Sequence, residues 1–298
     1  MKASGPRLQK ERPRGGRRTR EHSRRADPGK CAGSKGGLSL AGTRTAPIHY
    51  HCRVRFLVLL ALACPVPASA QTADEALHRT FQQAQGGRYT ILFSGPEDYA
   101  LASRAIEVLN DAYDRIASAL LTFPPRTITV VLYSQQQFQD VTRAPAWAAG
   151  AYDGTIRLPV RGALERPEEL ARVLSHELAH AIIQSIAARG VPVWLGEGLA
   201  VMFEPEGTAR LEAELARLPR RLPFERLARS FQSLSAEEAR IAYAQSAAIA
   251  RTLFDEVGGP TLVTILRDLA AGQTFEAAYE RRLGLPFAQF ADRFGPDH

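Results

Sequence analysis

The feature that most constrains this fold is a change of pattern near Pro167. Before it, apolar residues alternate in short runs; after it, they recur at helical spacing nearly to the C-terminus. Tyr89, Ile91 and Phe93 alternate with polar or small residues, which predicts a strand. Thr127 to Tyr133 is apolar and β-branched, as buried strands are. Asp153-Gly154 predicts a hairpin turn between short extended segments, and Pro159 marks an edge or a strand end. A long helix is expected from Glu97 to Leu121, and short ones over Thr72 to Gln83 and Gln135 to Val141. Beyond Pro167 the expected helices are Glu168 to Ala188, Trp194 to Phe203, Leu211 to Leu218, Phe224 to Phe231, Ala236 to Val257, Thr261 to Ala271 and Phe275 to Leu283. Gly190 and Gly258-Gly259-Pro260 are the stops between them. A small sheet followed by helices is an α+β arrangement.

Charge divides the chain near residue 70. The whole carries +7, but residues 1–70 contribute +12 and residues 71–298 contribute −5. The body therefore lacks the basic face that nucleic-acid phosphates require. Cys31, Cys52 and Cys64 all precede residue 71, so the body has neither disulfides nor thiolate metal sites. Its 228 residues suffice to bury a core without crosslinks.

Residues 1–52 read as a disordered basic leader, too poor in apolar residues to offset ordering entropy. Residues 53–70 read as a signal peptide: Arg53 and Arg55, the apolar run Phe56 to Ala63, then Ala68-Ser69-Ala70 as the cleavage site. The apolar run is too short to span a membrane. Because this signal starts about fifty residues in, translation is expected to begin at Val54. A genuine long n-region, or a basic arm for RNA or DNA, are the alternatives. Arg24-Arg25 resembles a twin-arginine signal only weakly, since the apolar run lies far downstream. Ala61 stands where a lipobox has Leu, which argues against lipidation of Cys64. The expectation is a periplasmic or secreted protein with no transmembrane span in its mature form, residues 71–298.

The chemistry lies in Ser175-His176-Glu177-Leu178-Ala179-His180. The i, i+4 spacing puts His176 and His180 on one helical face, where two imidazoles can hold one Zn²⁺. Glu177 follows the first ligand and can take a proton from a water that zinc acidifies. Only four histidines follow residue 70, and two are in this motif. The alternative is a surface helix that happens to carry these residues. Leu174, Leu178, Ile182 and Ile183 make the flanks apolar, however, and burying two His and a Glu without a partner is costly.

Catalytic zinc keeps three protein ligands and one open position. A third histidine at 186 is excluded, because Ile stands there. The best candidate is Glu197, in Trp194-Leu195-Gly196-Glu197-Gly198-Leu199-Ala200. A tight turn at Arg189 to Pro192 and an antiparallel return bring it to the histidines, with Gly196 and Gly198 clearing space. Its alternative role is that of an acid favouring a helix N-terminus.

These motifs resemble the gluzincin metallopeptidases, and within them the bacterial peptidase MA-like group. The resemblance also takes in Gly150-Ala151-Tyr152 and Ala242-Tyr243-Ala244-Gln245-Ser246, and covers about residues 88–293. It implies a small N-terminal mixed sheet followed by a mainly helical zincin-type subdomain. It implies zinc held by His176, His180 and Glu197, with Glu177 as base and proton shuttle. It implies that the segment Gly150 to Tyr152 is the sheet edge along which a peptide or protein substrate lies. Tyr243 is the matching candidate for oxyanion stabilisation, with a core aromatic as its alternative; Ser246 reads as a small packing residue. Thermolysin-like relatives have an Asp four residues after the ligand Glu. Here that position is Val201, so any support for the zinc ligands comes from elsewhere.

The leading reading is a secreted or periplasmic zinc metallopeptidase. A catalytically inactive peptidase-like binding or scaffolding protein of the cell envelope is the alternative, and retention of Glu177 argues against it. The arginines at 217, 220, 221, 226 and 229 could meet an anionic polymer, but Glu212, Glu214 and Glu225 balance them into a solvated face. Mass spectrometry of the exported protein is expected to find Gln71 as its first residue. A mature form that keeps Met1 would overturn the leader assignment.

Overall fold

The computed structural model describes residues 74–295 apart from 125–126, 145–147, 161–165, 208–212, 214 and 218–220. The expected leader and signal peptide lie outside the described residues, as does half of the helix expected from Leu211 to Leu218.

Five strands form one sheet: β1 (Gln82–Gly86), β2 (Tyr89–Phe93), β3 (Ile128–Tyr133), β4 (Ala151–Tyr152) and β5 (Ile156–Pro159). Their order is β1-β2-β3-β5-β4. The inner strands β2, β3 and β5 run parallel, while β1 and β4 close the edges antiparallel. The sheet is therefore mixed. The helices are α1 (Tyr99–Leu120), α2 (Gln135–Thr142), α3 (Pro167–Ile186), α4 (Val193–Met202), α5 (Phe224–Leu227), α6 (Ala236–Ala270), α7 (Phe275–Leu283) and α8 (Phe287–Ala291). The architecture is the α+β one that the sequence pattern implies.

Strand alternation sorts side chains to two faces. Ile91, Val130, Leu132, Ile156 and Leu158 face the main core, which they share with α1, α3, α4 and α6. Val131 and Tyr133 point to the other face, where Phe138 and Val141 of α2 cover them together with Leu77 and Phe81. Gly258 breaks α6 at φ +73°, where the sequence places a stop.

Three segments differ from the sequence reading. Of the helix expected from Phe224 to Phe231, only Phe224–Leu227 is α-helical. Gln82–Gly86 is an edge strand rather than the end of a helix, and the N-terminal helical turn covers only residues 74–78. The strand Gln-Gln-Ala-Gln-Gly shows no apolar alternation, because its stability comes from backbone pairing with β2. The last helix, α8, is too short to show a period, and is held by burial of Phe287 and Phe290.

A buried polar cluster fastens the N-terminal turn to the sheet. Arg157 of β5 donates to Asp74 at 2.7 Å and to the Tyr133 hydroxyl at 2.6 Å. Tyr133 in turn donates to Asp74 at 2.5 Å, and His78 approaches the same carboxylate at 3.0 Å. Burial alone would raise the Asp74 carboxyl; the bonds from His78 and Tyr133 and the charge of Arg157 outweigh it and hold the carboxyl at about 2. A depressed pKa means stability that is present above the unfolded value near 3.9 and is lost as pH falls through about 2. Asp74→Asn should therefore cost about 1–2 kcal/mol at neutral pH. The gap from the parent should close between pH 4 and 2 in chemical-denaturation curves. A gap that stays constant with pH would refute this role for Asp74.

Candidate active site

Helix α3 carries the His176–His180 pair through the main core. Pro167 opens it at a position where no amide proton is needed, and Glu168 and Glu169 favour its N-terminus. Its middle is apolar on nearly all sides because it is covered by α1, α4 and the β4–β5 end of the sheet. His176 and Glu177 are fully buried there. Gly190, at φ +82°, makes the turn after α3. Helix α4 then returns and delivers Glu197.

The structure brings all five sequence-selected residues to one place. His176 Nε2 and His180 Nε2 are 3.2 Å apart. Glu197 Oε2 is 3.5 Å from each of them. Three atoms bound tetrahedrally to zinc at about 2.0–2.1 Å stand about 3.3–3.4 Å from one another. The triangle therefore has the size of one face of a zinc coordination shell. Glu197 Oε2 is also buried, and among the described residues its nearest polar neighbours are the two imidazole nitrogens at 3.5 Å, too long for a good hydrogen bond, so its acceptor capacity is aimed at this point and left unfilled. The donor set and its spacing fit the metal.

Glu177 sits beside the triangle with both carboxylate oxygens buried and unbonded. Burial is the chief cause that pushes it up to about 8. Its near neighbour is the backbone of Gly150: a Cβ there would stand 2.9 Å from Glu177 Oε1 and 2.8 Å from Val173 Cγ1. Gly150 leads directly into β4, the sheet edge expected at Gly150 to Tyr152. Tyr243 of α6 lies with its ring 6.4 Å from that of His176, centre to centre. Its hydroxyl is buried and makes no hydrogen bond of good geometry among the described residues. Burial, then the charges of Glu197 and Glu177, push the phenol well above its usual 10. It thus stays a donor at any working pH.

Charge at the histidines is set by the acids around them. Burial opposes the charged form of His176, but the nearby carboxylates of Glu197 and Glu204, the latter hydrogen-bonded to it, overcome this and raise the group to about 9. His180 is lowered, because burial there outweighs the attraction of Glu197. Burial would raise Glu197, yet the two imidazoles hold it below its ordinary value.

One residue was missed by reading the sequence. Glu204 places Oε1 2.9 Å from Nδ1 of His176. It lies seven residues after Glu197, which is the available signal: two turns of helix return to the same face. The glycines of α4 also separate on inspection. A Cβ on Gly198 would lie 2.2 Å from the backbone oxygen of Ser246, so α4 and α6 touch backbone to backbone here. Gly196 has nothing closer than Val191 Cγ1 at 3.8 Å, so it does not clear space for Glu197. Ser246 is the packing residue that the sequence suggests, fully buried under this contact.

A sheet edge beside a helix with paired histidines and a returning glutamate defines a peptidase-like protein of the zincin kind. The family model of the Peptidase MA superfamily matches residues 111–295, and the chain belongs to that superfamily. Its members are typically zinc-dependent, and the His176–His180–Glu197 cluster is where a metal ion could be held. No curated protein matches the chain.

The helix crossing yields a paired test. Gly198→Ala should destabilise by about 2 kcal/mol or more, since the obstacle is backbone rather than a movable side chain. Gly196→Ala should be neutral or slightly stabilising, as Ala is in an uncrowded helix. Thermal melts of the two variants check this. Equal melting temperatures would show that α4 and α6 do not cross as closely as described.

Proposed function

We propose that the chain is a zinc-dependent metallopeptidase of the gluzincin type, acting after export across the cytoplasmic membrane. The observation that carries the reading is the triangle of His176 Nε2, His180 Nε2 and Glu197 Oε2, with sides of 3.2, 3.5 and 3.5 Å. These three residues would hold zinc. When bound, the metal supplies Lewis-acid activation of a water and of the scissile carbonyl.

The remaining chemistry belongs to this chain's own groups. Glu177 takes the proton of the attacking water and passes it to the leaving amine nitrogen. Its carboxylate is free for this, since no other group in the described structure bonds to it. Burial raises the proton affinity of its carboxylate above that of an exposed glutamate, and a bound cation would act in the opposite sense by favouring the ionised form. Tyr243 offers a phenolic proton to the oxyanion that develops on the carbonyl oxygen. The two-residue edge strand β4 offers backbone groups to an extended peptide, just past the glycine that borders Glu177. Export is supported by the Arg53–Ala70 pattern. No helix among the described residues is long and apolar enough to cross a membrane.

Elemental analysis and a peptide-cleavage assay on the full chain test the reading together. The parent should carry about one zinc per chain, and Glu197→Ala should lose it. Glu177→Gln should keep the zinc and lose at least about a hundredfold in cleavage rate. A parent that takes up no zinc when supplied with it, or a Glu177→Gln variant as active as the parent, would sink the mechanism.

A further inference from the structure

We infer that Glu204 is the positioning residue of this site: it holds His176 by Nδ1, so that Nε2 turns its lone pair to the metal. The inference rests on the zinc reading above and deepens it. A metal-ligating imidazole needs its other nitrogen fixed, or ring and tautomer drift. Here the position four residues after Glu197 is Val201, which cannot do this. The carboxylate comes from beyond the end of α4 instead.

The backbone there is built to deliver it. The amide of Phe203 donates to Leu199 O and that of Glu204 to Val201 O, so the chain coils on for one more turn after Met202. The amide of Gly207 donates back to Glu204 O. A Cβ on Gly207 would fall 2.2 Å from Val201 O and 3.2 Å from Glu204 Cβ. Only glycine permits that closure. It leaves the Glu204 side chain 1% exposed, against a fully buried His176.

Two arginines flank the pair, one beside the carboxylate and one beside the chain segments that carry the two residues. Arg172, one turn before His176 on α3, stands 3.8 Å from Glu204 Oε2. Glu204 is thus bracketed by two residues of α3 at i, i+4 spacing, one on each oxygen. Arg115 of α1 donates from Nη2 to Ser175 Oγ at 3.2 Å and to Phe203 O at 3.0 Å. Ser175 and Phe203 immediately precede His176 and Glu204. One guanidinium therefore bridges the Ser175 side chain and the Phe203 backbone, each adjacent to one member of the pair. A charge-assisted bond from Nδ1–H to a carboxylate is short and directional, and 2.9 Å suits it.

The experiment uses the full chain, loaded with zinc, as parent, Glu204→Gln and Glu204→Leu. Zinc affinity is measured by competition with a chromophoric chelator, and the His176 Nδ1–H resonance by ¹H,¹⁵N NMR. The parent should show a strongly downfield Nδ1–H signal. Glu204→Gln keeps an acceptor without the charge, so the signal should move upfield and affinity fall only a few-fold. Glu204→Leu should lose the signal to solvent exchange and weaken zinc by about 10–100-fold. A Glu204→Leu chain with the parent's zinc affinity would overturn the assignment. Should Glu204→Leu not fold, the isosteric Glu204→Gln decides alone: an unmoved Nδ1–H resonance overturns the proposal. Glu197→Ala separates the two readings. If the parent binds zinc and Glu197→Ala does not, while both Glu204 variants match the parent, the metallopeptidase reading stands and this one falls. If the parent itself binds no zinc, both fall.

Discussion

Buried charge is the constraint on which this structure depends. Glu177, Glu197 and Glu204 lie with His176 in a core of apolar helices, each almost out of reach of water. A carboxylate so placed costs several kcal/mol unless opposite charge or donors stand beside it. Glu204 meets the requirement with His176 and Arg172, and Glu197 meets it in part with the two imidazoles. Glu177 has no hydrogen-bond donor among the described residues, and the charges of His176 and Arg172 offset its burial only in part. A core selected only for stability would replace that glutamate with a leucine. Its retention makes sense where a cation and a water complete the surroundings, because both favour the ionised form.

The sheet supplies what the helices cannot. Its order puts β4 at the edge beside α3, and Val173 and Glu177, one turn apart, both press on Gly150. The close approach brings the β4 edge of the sheet next to Glu177 without a side chain between. The opposite face of the sheet is closed by the Asp74–Arg157–Tyr133 cluster and by Phe81 and Phe138. One face therefore serves the core that holds the site, while the other serves only to keep β3 and β5 in register.

How far the sequence could be read follows from which signals are local. The His176–Glu177–His180 spacing is set by helix geometry alone, so it survives without knowledge of tertiary contacts. The stops at Gly190 and Gly258 are backbone effects of single residues, and both appear where expected. Glu197 needed one tertiary assumption, the antiparallel return of α4, and the turn at Gly190 is tight enough to provide it. Glu204 needed more. It lies outside the regular helix, and the coil that carries it depends on Gly207 meeting Val201 O. The strand Gln82–Gly86 was illegible for the opposite reason: backbone pairing specifies it, and its side chains carry almost no pattern. The role assumed for Gly196 failed because a helix neighbour is no guide to what packs across from it.

Helix α6 shows why motif residues divide between chemistry and packing. In Tyr243-Ala244-Gln245-Ser246, the tyrosine faces His176, and the serine backbone takes the close approach of Gly198. Gln245 turns away from the site. Its amide accepts from Leu222 N and donates to Leu222 O at 2.9 Å, and reaches Phe294 O at 3.2 Å. It ties the chain after α4 and the C-terminal turn to the same stretch of helix that presents Tyr243. Trp194, at the start of α4, packs in turn against Phe224, Phe275 and Phe287. The start of α4 is thus anchored in one aromatic cluster, while Phe203, just past its end, packs edge-on against Phe254 of α6. The C-terminal helices α7 and α8 therefore pack against the start of the helix that carries Glu197, and the family match runs on through them to residue 295.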